Sequence, residues 1–182
     1  MNLGRGRHAL LKLRVPRTRG DEPRPARSEL LPEGMSDEAA AARFLDRFGA
    51  GLGAPRLFTD AAGEPLVIGD ELFRDGSGAW KLGKGVRRRH LLLLADTVAD
   101  PDEIWVGFAP AGQDVPAPRL RRRYIARWTL GEEELPALVV FEVDKDGWRG
   151  ITAFTGLGQN PMQRARYIDR QRIGTRVWRR KE

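Results

Sequence analysis

RLRRRYIARWTL at residues 119–130 decides the fold, together with ALVVFEV at 137–143 and WRGITAFT at 148–155. Side chains of an extended strand alternate between its two faces, and in the first segment the odd positions are mostly arginine while the even positions are mostly apolar. The second segment is almost wholly apolar, as central strands are. DKDG at 144–147 is a hairpin turn between the second and third segments. The sequence therefore predicts consecutive antiparallel strands.

Further strands and three helices are predicted around this centre. Period-two patterns at 103–109 and 175–179 add two strands, and residues 65–73 suggest a short strand or hairpin. Capping residues and stop signals delimit the helices, which are expected at residues 36–49, 86–99 and 160–174. The predicted fold class is α+β, with helices packed on a four- to five-stranded antiparallel β-sheet.

The chain is expected to divide into three parts. Residues 1–34 are rich in Arg and Gly and hold four prolines that interrupt any helix, which predicts a disordered basic tail. Residues 35–55 form an N-terminal helix and a linker, and residues 56–182 form the main domain. Because Met35 opens the first helix, one hypothesis is that translation starts there.

Composition excludes several classes of site. The 182 residues include no cysteine, so disulfides, thiolate metal centres and cysteine nucleophiles are ruled out. The two histidines, His8 and His90, are far apart in the chain, which argues against a histidine-rich metal site. The longest strongly apolar run, Leu91–Ala95, is far shorter than the roughly 20 residues that span a bilayer. We therefore expect no metal, no cofactor, no membrane contact and no secretory signal.

The positive charge is concentrated in the last third of the chain. Residues 119–182 hold 15 Lys/Arg and 8 Asp/Glu, a difference of +7 that equals the formal net charge of the whole chain. An arginine-rich surface of this kind is typical of a protein that binds nucleic acid. The alternative is an arginine-rich composition imposed by a GC-rich genome.

The core-facing side of the strand at 119–130 carries an arginine and a tyrosine. Arg122 shares a face with Leu120 and Tyr124, and a guanidinium there is costly to bury unpaired. A phosphate would satisfy it, because the guanidinium fork donates two parallel hydrogen bonds. Alternatively it extends to solvent at the sheet edge or pairs with Glu142 on the next strand. Glu142 is itself an unusual carboxylate on a central strand and could act as a base or orient Arg122.

His90 is the natural candidate for proton transfer. It is the only histidine outside the predicted tail, and an ordinary imidazole pKa of about 6.5 suits acid–base work near neutral pH. It directly follows three arginines, whose charge favours the neutral base form. The alternative is a surface histidine beside a solvated basic run.

Hydroxyl and basic residues late in the chain are further candidates. Thr152 and Thr155 could each hold a phosphate oxygen, although β-propensity alone explains threonines in a strand. Arg164, Tyr167 and Arg170 have i, i+3 spacing and share a helix face. Interleaved basic and aromatic side chains can clamp a backbone and stack a base. The alternative is a solvated face with Tyr167 turned to the core.

Four motifs in the last two thirds of the chain are similar to those of a known family. DTVADPDEIW at 96–105, RRRY at 121–124, TAFT at 152–155 and YIDRQRIG at 167–174 occur in its order and spacing. They resemble the phage-associated branch of the Barnase–EndoU–colicin–RelE-like nucleases. Within it, the chain resembles the subgroup found at the C-terminus of phage Mu F-type head proteins. The resemblance extends over residues 63–181.

This resemblance implies a compact α+β nuclease domain and a metal-independent endoribonuclease, often a toxin. The implied substrate is RNA, for example tRNA, and the implied partner is an acidic immunity protein. The protein would act in its own cytoplasm or be delivered into that of a target cell. The alternative is a non-catalytic nucleic-acid-binding module associated with a phage or its head.

A metal-free ribonuclease must move a proton from the ribose 2′-OH and stabilise charge on the phosphate. The residues expected to perform these steps are His90 for proton transfer, with Arg122, Tyr124, Thr152, Thr155, Tyr167 and Arg170 around the phosphate. The residues expected to bind the rest of the substrate are Arg121, Arg123, Arg164 and Arg172.

Overall fold

The computed structural model describes residues 22–82, 88–109, 118–144, 147–155 and 160–181, and these form an α+β fold built on one β-sheet. The strands are β1 (Arg24–Pro25), β2 (Arg56–Thr59), β3 (Pro65–Ile68), β4 (Glu103–Ala109), β5 (Arg119–Leu130), β6 (Glu133–Asp144), β7 (Gly147–Thr155) and β8 (Thr175–Arg179). The helices are α1 (Asp37–Asp46), α2 (Leu91–Ala99) and α3 (Pro161–Gln171), with a short 3₁₀ helix at Asp70–Phe73.

The predicted antiparallel strands form the middle of the sheet. The spatial order is β2-β3-β7-β6-β5-β4-β8, and β1 pairs with β5 beside this path. The α+β class is confirmed, but the expectation of four to five antiparallel strands is wrong. Within the described residues the sheet has eight strands, and the pairs β1–β5 and β3–β7 are parallel. Strands as short as β2 and β3, with four residues each, give almost no period-two signal.

One face of the sheet, called the core face below, is covered by α1, α2 and the 3₁₀ helix. Tyr124 and Trp128 of β5 and Val139 and Phe141 of β6 point into this cluster, where all are buried. The four leucines that open α2 pack on the same cluster, because a helix apolar on nearly every side must be covered. The Trp128 indole donates to the Thr97 hydroxyl at 2.9 Å, so its buried N–H has a partner.

The opposite face, called the α3 face, is partly covered by α3. Ile168 of this helix packs on Ile125, Leu138 and Val140, which form a second, smaller apolar cluster. The helix begins where the sequence predicts, because Asn160 accepts a hydrogen bond from the Gln163 backbone and completes a capping box. The sheet is therefore flanked by helices on both faces. No helix in the described part of the chain is long and apolar enough to cross a bilayer.

Residues 22–34, called the N-terminal strap below, are folded against the sheet. Within it, β1 pairs with the end of β5, and the Arg24 guanidinium lies 4.4 Å from the Trp128 ring centroid. Arg24 also forms ion pairs of 2.8 Å with Asp100 and Asp102, and Leu31 is buried. Residues 22–34 of the predicted tail thus pack on the sheet, and residues 1–21 lie outside the described part.

Two glycines let α3 and β8 return tightly onto β4. Gly174 has φ +90°, a backbone conformation that favours glycine, and a Cβ there would collide with the Val106 carbonyl. A Cβ on Gly107 would lie 2.6 Å from the Ile173 carbonyl oxygen. The last glycine of the YIDRQRIG motif is therefore required by a close backbone crossing, which places the end of α3 over β4.

Candidate active site

The register of the sheet separates the arginines of β5 into two groups. Arg122 and Tyr124 lie on the core face with the apolar even-numbered positions. Arg121 and Arg123 lie on the α3 face, where they align with Glu142 and Val140 of β6. Residues that alternate along one strand cannot line one surface. The structure therefore places Arg122 on one face of the sheet and Arg121 and Arg123 on the other, so these predicted phosphate-binding arginines do not share one site.

Arg122 is held in a buried network on the core face. Its Nε and Nη2 donate to Asp60 Oδ2 at 2.8 and 2.6 Å, and the Tyr124 hydroxyl donates to the same oxygen at 2.5 Å. Asp60 Oδ1 accepts from the backbone N–H groups of Ala62 and Glu64. This network fixes the turn between β2 and β3 to the sheet. The partner of Arg122 is thus Asp60, and the alternative that it pairs with Glu142 is wrong.

The contacts within this network keep Asp60 ionised and Tyr124 neutral. Burial raises the pKa of Asp60, but hydrogen bonds from Tyr124, the Glu64 backbone and Arg122 outweigh it and hold that pKa below its usual range. Burial and Asp60 raise the pKa of the Tyr124 hydroxyl far above its usual value. The network is therefore an ionised Asp–Arg pair with a neutral tyrosine, and its geometry is that of an internal support.

His90 lies on the core-face side of the molecule. It directly precedes α2, and only 7% of the residue is exposed. The leucines that follow it belong to the core-face cluster, whereas α3 packs on the opposite side of the sheet. The predicted proton-transfer histidine and the helix carrying Tyr167 and Arg170 are therefore on opposite sides of the sheet.

Arg123 is a buried cation without a carboxylate among the described side chains. Only 3% of the residue is exposed, and its contact is a 3.4 Å hydrogen bond from Nη1 to the Gly107 carbonyl. Burial lowers its pKa, and the positive charge of Arg121 lowers it further. A buried guanidinium in this state is costly unless an anion reaches it. Arg123 is therefore the position on this face best suited to receive one.

Glu142 is a buried carboxylate of the same face. Its Oε1 accepts from Arg119 Nη1 at 2.5 Å and its Oε2 accepts from Arg121 Nε at 3.0 Å. Burial raises its pKa, but these two hydrogen bonds outweigh burial and hold the pKa below its usual range. Glu142 is consequently ionised at neutral pH. Arg119, Arg121, Arg123 and Glu142 are called the arginine–glutamate cluster below.

The two predicted threonines fall on different faces of β7. Thr152 pairs with Val140, which pairs with Arg123, so its backbone continues the row of the cluster. Thr155 pairs with Ala137, a core-face position. Their side chains lie outside the described residues.

Two predicted substrate-binding arginines anchor α3 instead. Arg172 donates from Nε and Nη2 to both oxygens of Glu103, at 3.0 and 2.9 Å. Glu103 also accepts from the Trp105 indole at 2.5 Å. Arg164 donates to the Glu133 carboxylate at 2.6 Å and to the Glu134 carbonyl at 2.7 Å. The PDEIW and YIDRQRIG motifs therefore contact each other, and their charged residues hold the helix on the sheet.

The remaining two α3 candidates differ in exposure. Tyr167 is half-buried and packs against the small cluster that includes Val140, the strand neighbour of Arg123. Arg170 is exposed, and it lies four residues after the exposed Arg166 on the outer side of the helix. In the described part of the chain, no three His, Asp or Glu side chains are grouped so that they could hold a metal ion.

Sequence reasoning missed Asp60 and Glu103, which decide the roles of Arg122 and Arg172. Asp60 opens the sequence DAAGE, an Asx-turn signal, but nothing local indicates that its second oxygen reaches a strand 62 residues away. Glu103 follows Asp100 and Asp102, and in sequence the three acidic residues resemble a helix stop. Only the pairing of β4 with β5 and β8 brings Glu103 under Arg172.

The fold and this face define an α+β protein with a cluster of three arginines and one glutamate on the central antiparallel strands of its sheet. Comparison with protein families identifies the class. The model of the phage Barnase–EndoU–colicin E5/D–RelE-like nuclease 2 family matches residues 43–179, and the chain belongs to that family. Its class of enzyme is accordingly a nuclease, as the motifs predict. No curated protein and no solved structure gives a significant match. The Mu head-protein subgroup stays a prediction.

Proposed function

We propose that this nuclease is an endoribonuclease that works without a metal ion and cleaves on the arginine–glutamate cluster. The observation that carries the proposal is Arg123, which is buried, cationic and lacks a carboxylate among the described side chains. A phosphodiester supplies the missing anion. Arg119 and Arg121 lie earlier on the same face of β5 and donate to Glu142 beside it.

The cluster has the electrostatics that phosphoryl transfer requires. Negative charge accumulates on the phosphate as the 2′ oxygen attacks, and preorganised cationic donors stabilise that charge more than they stabilise the ground state. Arginine suits this role, because its planar fork stays charged and donates two parallel hydrogen bonds. The three arginines thus replace the charge that a metal ion would supply.

Glu142 is the base in this proposal. Its ionised carboxylate accepts the proton of the ribose 2′-OH, and the 2′ oxygen then forms a bond to phosphorus. The bond from phosphorus to the 5′ oxygen breaks, and that oxygen takes a proton from the Tyr167 hydroxyl or from water. The products are a 2′,3′-cyclic phosphate and a free 5′-hydroxyl. Arg119 and Arg121 keep Glu142 ionised, and each guanidinium has further N–H groups that can donate to the phosphate.

Tyr167 and Thr152 are proposed to assist at the edges of the cluster. Tyr167 packs beside Val140, and Thr152 continues the same cross-strand row. A hydroxyl at either place would hold a phosphate oxygen or protonate the leaving group. His90, Arg122 and Tyr124 support the core face in this proposal, and Arg164 and Arg172 support α3.

A toxin role is part of the proposal. Cleavage of a cellular RNA such as tRNA in the cytoplasm of the producing or target cell would arrest growth. The partner would be an acidic immunity protein that covers the arginine–glutamate cluster. Growth arrest upon expression, relieved by Glu142→Gln or by a small acidic protein encoded next to this gene, is the expected result.

The direct test is cleavage of a mixed-sequence RNA in EDTA. We expect wild-type protein to cleave RNA and to leave 2′-O-methylated RNA intact, because the attacking hydroxyl is blocked. Glu142→Gln should reduce the rate at least about 100-fold, within the usual range for a general base. Glu38→Gln, at an exposed glutamate of α1 on the core-face side, is the matched control and should cleave normally. Salt-dependent RNA binding without cleavage would favour the non-catalytic module instead.

A further inference from the structure

A cleft on the α3 face lies between α3 and the hairpin that joins β5 to β6. Its volume is about 410 Å³. The residues that line it come from both elements and are mostly charged. They are Arg127, Glu132, Glu133, Glu134, Pro136, Arg164, Ala165, Ile168, Asp169 and Arg172. It is separate from the arginine–glutamate cluster and shares none of its residues.

The cleft offers donors and acceptors together. Arg164 donates hydrogen bonds to the Glu133 carboxylate and the Glu134 carbonyl, and these bonds fix its guanidinium plane at the side of the cleft. The carboxylate of Glu134 lies 4.0 Å from the Arg127 guanidinium. The side chains of both arginines are mostly buried, so each presents a plane and an edge in a defined orientation.

Apolar surface completes the lining. Pro136, Ala165 and Ile168 contribute carbon atoms between the charged groups. A free phosphate would meet the carboxylates, and a simple cation would meet the arginines. A flat heteroaromatic ring fits all three kinds of surface, because its edge carries both donors and acceptors and its faces stack on guanidinium planes.

The position of the cleft relates it to the cluster. Arg127 is on the same face of β5 as Arg123 and four residues further along, which is about 13 Å on an extended strand. Between them lies the pair Ile125 and Leu138, covered by Ile168. A base in the cleft would therefore belong to a nucleotide near the scissile one, not to the scissile phosphate itself.

We infer that this cleft binds a single nucleobase of the RNA and so gives the nuclease a base preference next to the cleavage site. The inference rests on the proposed function for its biological meaning. Carboxylate acceptors and arginine donors of the lining read the edge of an unstacked base, and the apolar residues between them pack on its face.

The variant that tests the inference is Ala165→Phe, which fills the cleft without changing its charge. Ala165 is an exposed helical residue that lines the cleft, and it takes no part in the ion pairs of Arg164 and Arg172. Met162→Phe is the matched control, because Met162 is exposed on the same helix and does not line the cleft.

The measurement is the cleavage rate of short RNAs that differ in one base on either side of a fixed site. We expect wild-type protein and Met162→Phe to prefer one base by about tenfold or more, in the range of a specific base contact. Ala165→Phe should reduce that preference to about threefold or less. An unchanged preference in Ala165→Phe, or no preference in wild type, would overturn the inference.

A second measurement separates this inference from the proposed function. Free nucleosides titrated into Glu142→Gln protein report on the cleft by NMR shifts of α3 amides, whether or not RNA is cleaved. One nucleoside should bind to helix α3 in this protein and fail to bind when Ala165→Phe is added. If RNA is cleaved but no nucleoside binds, the cleft inference is wrong and the proposed function stands. If a nucleoside binds but wild-type protein cleaves no RNA, the proposed function is wrong and the cleft remains a base-binding site.

Discussion

Arg122 and Arg123 are adjacent in β5 and almost equally buried, yet only Arg122 has a carboxylate partner among the described side chains. Arg122 donates two hydrogen bonds to Asp60, and Arg123 donates one long bond to a carbonyl. The alternation of the strand places one inside the core and the other on the α3 face. Arg122 is therefore part of a paired network in the core, and Arg123 is the arginine on which the proposed phosphate site rests.

This difference predicts opposite responses to the same substitution. Arg122→Met leaves Asp60 as a buried charge without its cation, which should lower the free energy of unfolding by about 3–5 kcal/mol. Arg123→Met removes a buried charge that has no carboxylate partner and keeps the packing volume. It should leave stability within about 1 kcal/mol of wild type or increase it. Urea denaturation of both variants measures this, and a larger loss in Arg123→Met would contradict the assignment.

The pH dependence of cleavage distinguishes the two candidate bases. Arg119 and Arg121 hold the pKa of Glu142 below its ordinary value of 4.5. A lowered pKa keeps the base ionised as pH falls, so the acid limb of kcat/KM should lie below pH 4.5. A limb near the ordinary histidine pKa of about 6.5 would instead implicate His90.

The free energy of unfolding should also fall as the pH is lowered. A carboxylate with a lowered folded pKa contributes stability that is present above its unfolded pKa and is lost as pH falls through the folded pKa. Asp60 and Glu142 both have lowered values. Wild-type protein should therefore lose stability below about pH 4.5, and Glu142→Gln should lose less over that range. Equal losses in the two proteins would show that Glu142 is not held ionised by its arginines.

The sequence predicts the features that local signals determine, and it does not predict contacts between residues that are far apart in the chain. Alternation correctly predicts β4 to β7, and Asn160 correctly predicts the start of α3, because these signals are local. The role of each arginine is different, since it is set by partners that only the folded sheet supplies. Asp60 lies 62 residues from Arg122, and Glu103 lies 69 residues from Arg172. Burial costs alone predict that Arg122 needs a partner, but not which one.

The outer face of α3 should add to RNA affinity without taking part in the reaction. Arg166 and Arg170 are exposed and four residues apart, about 6 Å along the helix. Replacing both with alanine should reduce the salt dependence of RNA binding by about 1.4 in the slope of log K against log salt. Binding should be measured with Glu142→Gln protein over several salt concentrations. The double variant Arg43→Ala/Arg56→Ala, on α1 and β2, is the control, and an equal change there would indicate a nonspecific charge effect.

The N-terminal strap should contribute directly to stability. A chain that starts at Met35 loses the buried Leu31, the Arg24 contact with Trp128 and the ion pairs of Arg24 with Asp100. Burial of one leucine and a desolvated cation–π contact together predict a loss of about 3 kcal/mol or more. Thermal and urea denaturation of the shortened and full-length chains should show it. Equal stability would mean that these contacts of the strap do not contribute to the free energy of unfolding.

The central claim is tested most directly by single-turnover cleavage of RNA in EDTA by Arg123→Met and wild-type protein, with folding of each verified by circular dichroism. Loss of a cationic donor from the phosphate site should slow the chemical step by about 100-fold or more, while the variant stays folded. A folded Arg123→Met that cleaves at the wild-type rate would contradict the claim that this buried arginine holds the scissile phosphate.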